Sequence, residues 1–151
     1  MFPVKITQAC TLLSILVIMS CSTKKKNTTD MLGEIDFKAT GKAEAQPAFQ
    51  KGMLLLHSFE YEDAAEEFRN AINIDKDFTM AYWGETMTHN HSLWRYQAYE
   101  KANAVLKELA PAPEERVAKA KTDFEKDLMR AINILYGSGS KIQRDSSYAA
   151  Y

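Results

Sequence analysis

Residues 57–94 read HSFEYEDAAEEFRNAINIDKDFTMAYWGETMTHNHSLW, and their periodicity decides the fold class. Ala64, Phe68, Ala71 and Ile72 recur at helical spacing and form one apolar stripe. A helix is predicted from about Asp63, with Asp63 as N-cap and Glu66 three residues on completing a capping box. Asp75-Lys76-Asp77 interrupts the stripe, and another helix is predicted from about Phe78. Upstream, Phe49, Met53, Leu56 and His57 share one face of a helix that begins near Pro47, with a turn at Phe59-Glu60-Tyr61-Glu62 before the next helix. The chain is therefore expected to be all-α in this region.

Shifting the chain by thirty-four residues aligns Met53 with Met87, His57 with His91, Ser58 with Ser92, Ala64 with Ala98 and Glu66 with Glu100. Phe49 meets Trp83 in the same shift. Counted from Ala45, a glycine or small residue stands at the eighth position (Gly52), alanine at the twentieth (Ala64), an aromatic at the twenty-fourth (Phe68) and alanine at the twenty-seventh (Ala71). This pattern resembles the tetratricopeptide repeat, in which small residues let two antiparallel helices approach and the aromatic fills the gap. Lys76 stands where that motif often has proline. The second unit, from Thr79, keeps Tyr82, Ala98, Ala102 and Val105, but it has Thr86 at the small position and Pro111 one residue late. More narrowly, residues 47–148 look like the first repeats of a bacterial family of tetratricopeptide proteins of undefined activity. The resemblance implies antiparallel helical hairpins stacked as a short right-handed solenoid over 45–151.

It also implies a concave groove lined by the first helix of each unit, for a protein or peptide partner. Carried over by position, the groove residues are Phe49, Met53, Leu56 and His57, then Met80, Trp83, Met87, Asn90 and His91. Aromatic and methionine side chains supply adaptable apolar area, and imidazoles add polar contacts. The competing assignment for Phe49, Trp83 and the methionines is ordinary inter-helix core. The aromatic set Trp83, Trp94, Tyr96 and Tyr99 is expected to pack between the second and third units.

Farther downstream, Pro111 and Pro113 end the second unit. Glu114 to Tyr136 reads as a long helix, with Thr122 and Glu125 spaced for a capping box that restarts it. Gly137-Ser138-Gly139 reads as a helix stop and lacks the lysine and spacing of a phosphate loop. Residues 140–151 begin another helical pattern. About two and a half repeat units and no polar cap suggest an incomplete array.

The N-terminus carries a different signal. Lys5 precedes a short apolar run, Ala9 to Met19, about half of what a membrane-spanning helix needs. Ile18-Met19-Ser20-Cys21 resembles the bacterial lipobox, which implies that residues 1–20 are a lipoprotein signal peptide and that Cys21 is lipidated. Palmitate-class acyl chains on one residue would make a stable anchor. Residues 21–44 are polar and are expected to be a lipidated cysteine and flexible tether, in which Lys24, Lys25 and Lys26 either meet anionic headgroups or simply solvate a spacer that keeps the domain off the membrane. The expected location is a cell membrane or outer membrane, facing periplasm or exterior. Ser22, where an aspartate would retain the chain, leans towards the outer one.

Nineteen basic against twenty acidic residues give a net charge of -1, so there is no basic excess to grip nucleic acid. Cys10 and Cys21 are the two cysteines, so a disulfide framework in the helical part is excluded. No catalytic constellation is found: acid pairs such as Glu66-Glu67 and Glu114-Glu115 lie on lysine-rich helix faces. No cofactor is expected. The alternative to peptide binding is a small-ligand or metal site using His57 and His91, with Met53, Met87 and Glu85 as further donors of a kind suited to copper. His89 and His91, two apart on a helix, point away from each other, and no HExxH or CxxC spacing supports a metal.

Overall fold

The computed structural model describes residues 32–137 of the 151-residue chain. The leader, Cys21, the lysine run and the predicted helix over 140–151 lie outside those residues. Within them the fold is mostly helical, and the helices pack on one another. The order is α1 (Gln46–His57), α2 (Tyr61–Ile74), α3 (Thr79–Met87), β1 (Asn90–His91), β2 (Tyr96–Gln97), α4 (Tyr99–Leu109), α5 (Pro113–Lys119) and α6 (Asp123–Ile132). A short 3₁₀ turn, Ala43–Ala45, leads into α1, and a π-helical turn, Asn133–Gly137, follows α6.

Local chemistry sets the boundaries. Pro47 sits in the first turn of α1, where a missing N–H costs nothing. Helix α2 starts at Tyr61, two residues before the expected cap, so Asp63 lies inside the helix rather than capping it. The Ala64 N–H bonds back to the Glu60 carbonyl, and Glu62 and Asp63 occupy the first turn, where the helix dipole favours carboxylates. The predicted long helix from Glu114 is two helices. Ala120 and Thr122 are extended, and Thr122 and Glu125 form the expected reciprocal cap: Glu125 N–H donates to Thr122 Oγ1 at 3.2 Å and Thr122 N–H to Glu125 Oε2 at 3.1 Å.

The core is organised around Phe68 of α2, which is fully buried. A Cβ added to Gly52 of α1 would come within 2.9 Å of its ring, and one added to Gly84 of α3 would come closer still. Both helices can therefore lie against Phe68 only because those positions carry no side chain. In the second unit the close approach is made by Gly84, not by Thr86, the position that the motif count gives. Thr86 is buried and returns its hydroxyl to the Tyr82 carbonyl at 2.7 Å. Short α3 packs against α1, α2, α4 and α6, and seven of its nine residues are buried.

Residues 32–44 do not behave as the expected tether. Leu32, Ile35 and Phe37 pack against the core and Ala39 is buried. Phe37 lies 5.7 Å from Phe49 and 5.9 Å from Phe124, measured between ring centroids. Thr40 N–H donates to Glu125 Oε1 at 2.6 Å, and Lys42 N–H to Asp75 Oδ2 at 2.8 Å. Sparse apolar residues in a polar stretch gave no period, yet each fills a gap that the helices leave open.

The turn from α4 to α5 is held by Arg116, which is buried at 2% exposure. Its Nε–H donates to the Ala110 carbonyl at 2.7 Å, one Nη to the Pro111 carbonyl at 2.8 Å and the other to Asn133 Oδ1 at 3.1 Å. Asn133 in turn donates to the Pro113 carbonyl at 3.1 Å. The guanidinium thus satisfies two carbonyls of the turn.

Candidate functional site

The expected groove is not assembled. Phe49, Met53 and Met80 are core residues, exposed by 3% or less. Phe49 is enclosed by Phe37, Phe68 and Phe78, with centroids 5.7, 5.7 and 4.8 Å away. One of these rings, Phe37, comes from the segment before α1. Leu56, Trp83 and Met87 are half-buried against the same core. His57 is exposed at the end of α1, and its Nδ1–H donates to the Met53 carbonyl at 2.7 Å. Asn90 and His91 are not on a helix at all, because α3 ends at Met87 and the chain turns into the β1–β2 hairpin.

That hairpin builds a different surface. It is antiparallel, with Asn90 opposite Gln97 and His91 opposite Tyr96. Ala98 N–H closes it on the His89 carbonyl at 3.0 Å, and Gln97 Nε2 donates to Asn90 Oδ1 at 3.2 Å. His91 Nε2–H donates to the Thr88 carbonyl at 2.9 Å, and the imidazole stacks on Tyr61. Burial pushes the neighbouring His89 imidazole down from its ordinary value, with Lys101 and His91 adding to the effect.

Around this stack stand Phe59, Trp94 and Tyr96. Trp94 meets Phe59 and Tyr61 at 6.2 Å with interplanar angles of 80° and 81°, and Phe59 meets Tyr61 at 6.3 Å and 64°. Tyr96 lies 5.4 Å from His91. Yet these rings face solvent: Phe59 is 54% exposed, Trp94 62%, Tyr96 54% and the adjoining Leu93 68%. Trp94 and Tyr96 are thus not inter-unit packing as expected.

Two backbone positions hold the cluster open. Phe59 has φ 64° and Arg95 φ 51°, the left-handed region that side-chain-bearing residues avoid. At the end of α1, Glu60 N–H bonds to the Leu55 carbonyl at 3.0 Å and Phe59 N–H to the Leu56 carbonyl at 3.2 Å. This is a Schellman C-cap with phenylalanine at the position that glycine ordinarily takes. The Phe59 ring is thus kept in solvent by a turn whose backbone conformation disfavours it. Sequence inspection passed over Phe59, Tyr61, Leu93, Trp94 and Tyr96 as site residues. The available signal was the placement of large apolar residues in two turns where glycine is expected.

Glu85, the oxygen donor of the metal alternative, is instead an ion-pair partner. Its Oε1 accepts from Arg69 at 2.7 Å, and Arg69 also grips both oxygens of Glu108 at 2.8 Å. Among the described residues no group of three or more His, Cys, Asp or Glu side chains is placed to hold a metal ion. No family model, curated protein or solved structure matches the chain.

Proposed function

We propose that this protein is a membrane-anchored, tetratricopeptide-like helical scaffold of the cell envelope that binds a protein or peptide partner, and that it is not an enzyme. The observation that carries binding is the exposed set Phe59, Trp94 and Tyr96 around the half-buried Tyr61–His91 stack, with left-handed backbone at Phe59 and Arg95. Rigid aromatics offer large contact area at low entropic cost, which is why they dominate recognition surfaces. The helical-repeat part is supported by Gly52, Ala64, Phe68 and Ala71, whose packing is the one that the repeat motif requires. The envelope location is supported by Ile18-Met19-Ser20-Cys21. Among the described residues no helix is long and apolar enough to cross a membrane.

A library of displayed peptides panned on the purified chain tests the binding claim. Selected peptides should lose affinity on Trp94→Ala and Phe59→Ala and keep it on Trp83→Phe. Equal binding to all three variants would refute the assignment of this surface. Mass spectrometry of the expressed chain tests the anchor: loss of residues 1–20 and acylation at Cys21 are expected, and both should vanish in Cys21→Ser.

A further inference from the structure

We infer that the aromatic cluster recognises a cationic side chain, an arginine or lysine borne by an extended segment of a protein partner. The inference rests on the proposed role of the cluster as a peptide-binding surface and adds the chemistry of the ligand. The centroids of Phe59, Tyr61 and Trp94 form a nearly equilateral triangle, 6.2–6.3 Å on a side. A cation over its centre lies within about 6 Å of all three rings, the range over which a ring quadrupole attracts positive charge. The three planes cross at 64–81°, so the ring faces point in different directions, with one face of Tyr61 taken by His91.

The surrounding charge has the same preference. Phe59 and Tyr61 are interleaved with Glu60, Glu62 and Asp63, all exposed. Among the described residues none of the three is in an ion pair. The basic groups on the same turns are Arg95 at the hairpin tip and the imidazoles of His57 and His91, and Lys101 lies close enough to act on the neighbouring His89. Unpaired carboxylates beside exposed rings attract a cation, and they repel an anionic bilayer. Placement at the first turn of α2 also concentrates the carboxylates where the helix itself needs them, so the charge is built into the fold.

Calorimetric titration of the full chain in zwitterionic detergent tests this, with nine-residue peptides alternating glycine with arginine, glutamate or leucine. Saturable binding of the arginine peptide is expected, weaker by about tenfold in Trp94→Leu. It should weaken similarly in the triple variant Glu60→Gln, Glu62→Gln, Asp63→Asn, whose exposed changes leave the core untouched. Affinity should also fall with added salt. Trp94-dependent binding that is as tight for the leucine or glutamate peptide would overturn the cation inference and leave the peptide-binding surface standing. Absence of binding by all three peptides would overturn both. In a Trp83→Phe background, a blue shift of Trp94 emission on adding phosphatidylglycerol vesicles, without any response to the arginine peptide, would assign the cluster to the bilayer instead.

Discussion

The His91 imidazole lies flat on the Tyr61 ring, with centroids 3.9 Å apart and planes 16° from parallel. One contact thereby ties a hairpin with two paired residues per strand to the start of α2. So short a hairpin is not stable by itself. Tyr61→Ala is expected to cost about 1 kcal/mol, the worth of an aromatic pair beyond its area, and to free the hairpin. Amide exchange at Ala98, which closes the hairpin, should accelerate in Tyr61→Ala and stay unchanged in Tyr61→Phe.

Left-handed backbone at Arg95 and Phe59 stores strain that glycine would not. Arg95→Gly and Phe59→Gly are each expected to raise stability, by up to about 1 kcal/mol after the entropy cost of glycine. Thermal melts check this. Partner binding should fall only in Phe59→Gly, so stability and function would move in opposite directions at that residue.

Glu85 is buried beside Arg69, and its Oε2 finds no hydrogen-bond partner. Burial raises its carboxyl above the ordinary value, while the Arg69 hydrogen bond pulls it down. A raised carboxyl contributes stability that is fully present below the unfolded value, near pH 4.5, and lost as pH rises through the folded value. Arg69→Met leaves that charge uncompensated and should cost about 2 kcal/mol at pH 7. The cost should shrink as pH falls below 4.5 and Glu85 becomes neutral in both states, leaving the lost contacts of Arg69 with Glu108. It falls short of a fully buried pair because the Arg69 side chain is 32% exposed. Denaturant titrations at pH 4 and pH 7 separate the two regimes, and Glu85→Gln should flatten the pH dependence.

Glu125 behaves in the opposite sense. Burial pushes its carboxyl up, but hydrogen bonds from the Thr40, Thr122 and Lys121 N–H groups outweigh burial and hold it below the ordinary value. Its contribution is present above the unfolded value and lost as pH falls through the folded one. Glu125→Gln replaces an acceptor oxygen by a donor and should cost about 1–2 kcal/mol at neutral pH. The loss should shrink in acid. Proteolysis near residue 40 should accelerate with it, since Glu125 is what holds Thr40 against α6.

Helical class and the Thr122–Glu125 cap were legible in the sequence because each depends on neighbours a few positions away, and the repeat count found Gly52 against Phe68 but gave Thr86 where Gly84 makes the second approach. A stripe at Ala64, Phe68, Ala71 and Ile72 is buried wherever such a helix goes. What covers a helix is a different kind of fact. Only the tertiary structure decided that Phe37 packs onto Phe49, and that the expected groove residues Phe49, Met53 and Met80 are core. Likewise, repeat spacing placed His91 opposite His57 on a second helix, but α3 stops at Met87 and sends His91 onto Tyr61, thirty residues earlier in the chain. Periodicity reports which face of a segment is apolar. The choice of neighbour that buries that face, or leaves Trp94 and Phe59 in solvent, is made by contacts between residues far apart in sequence, which no local pattern records.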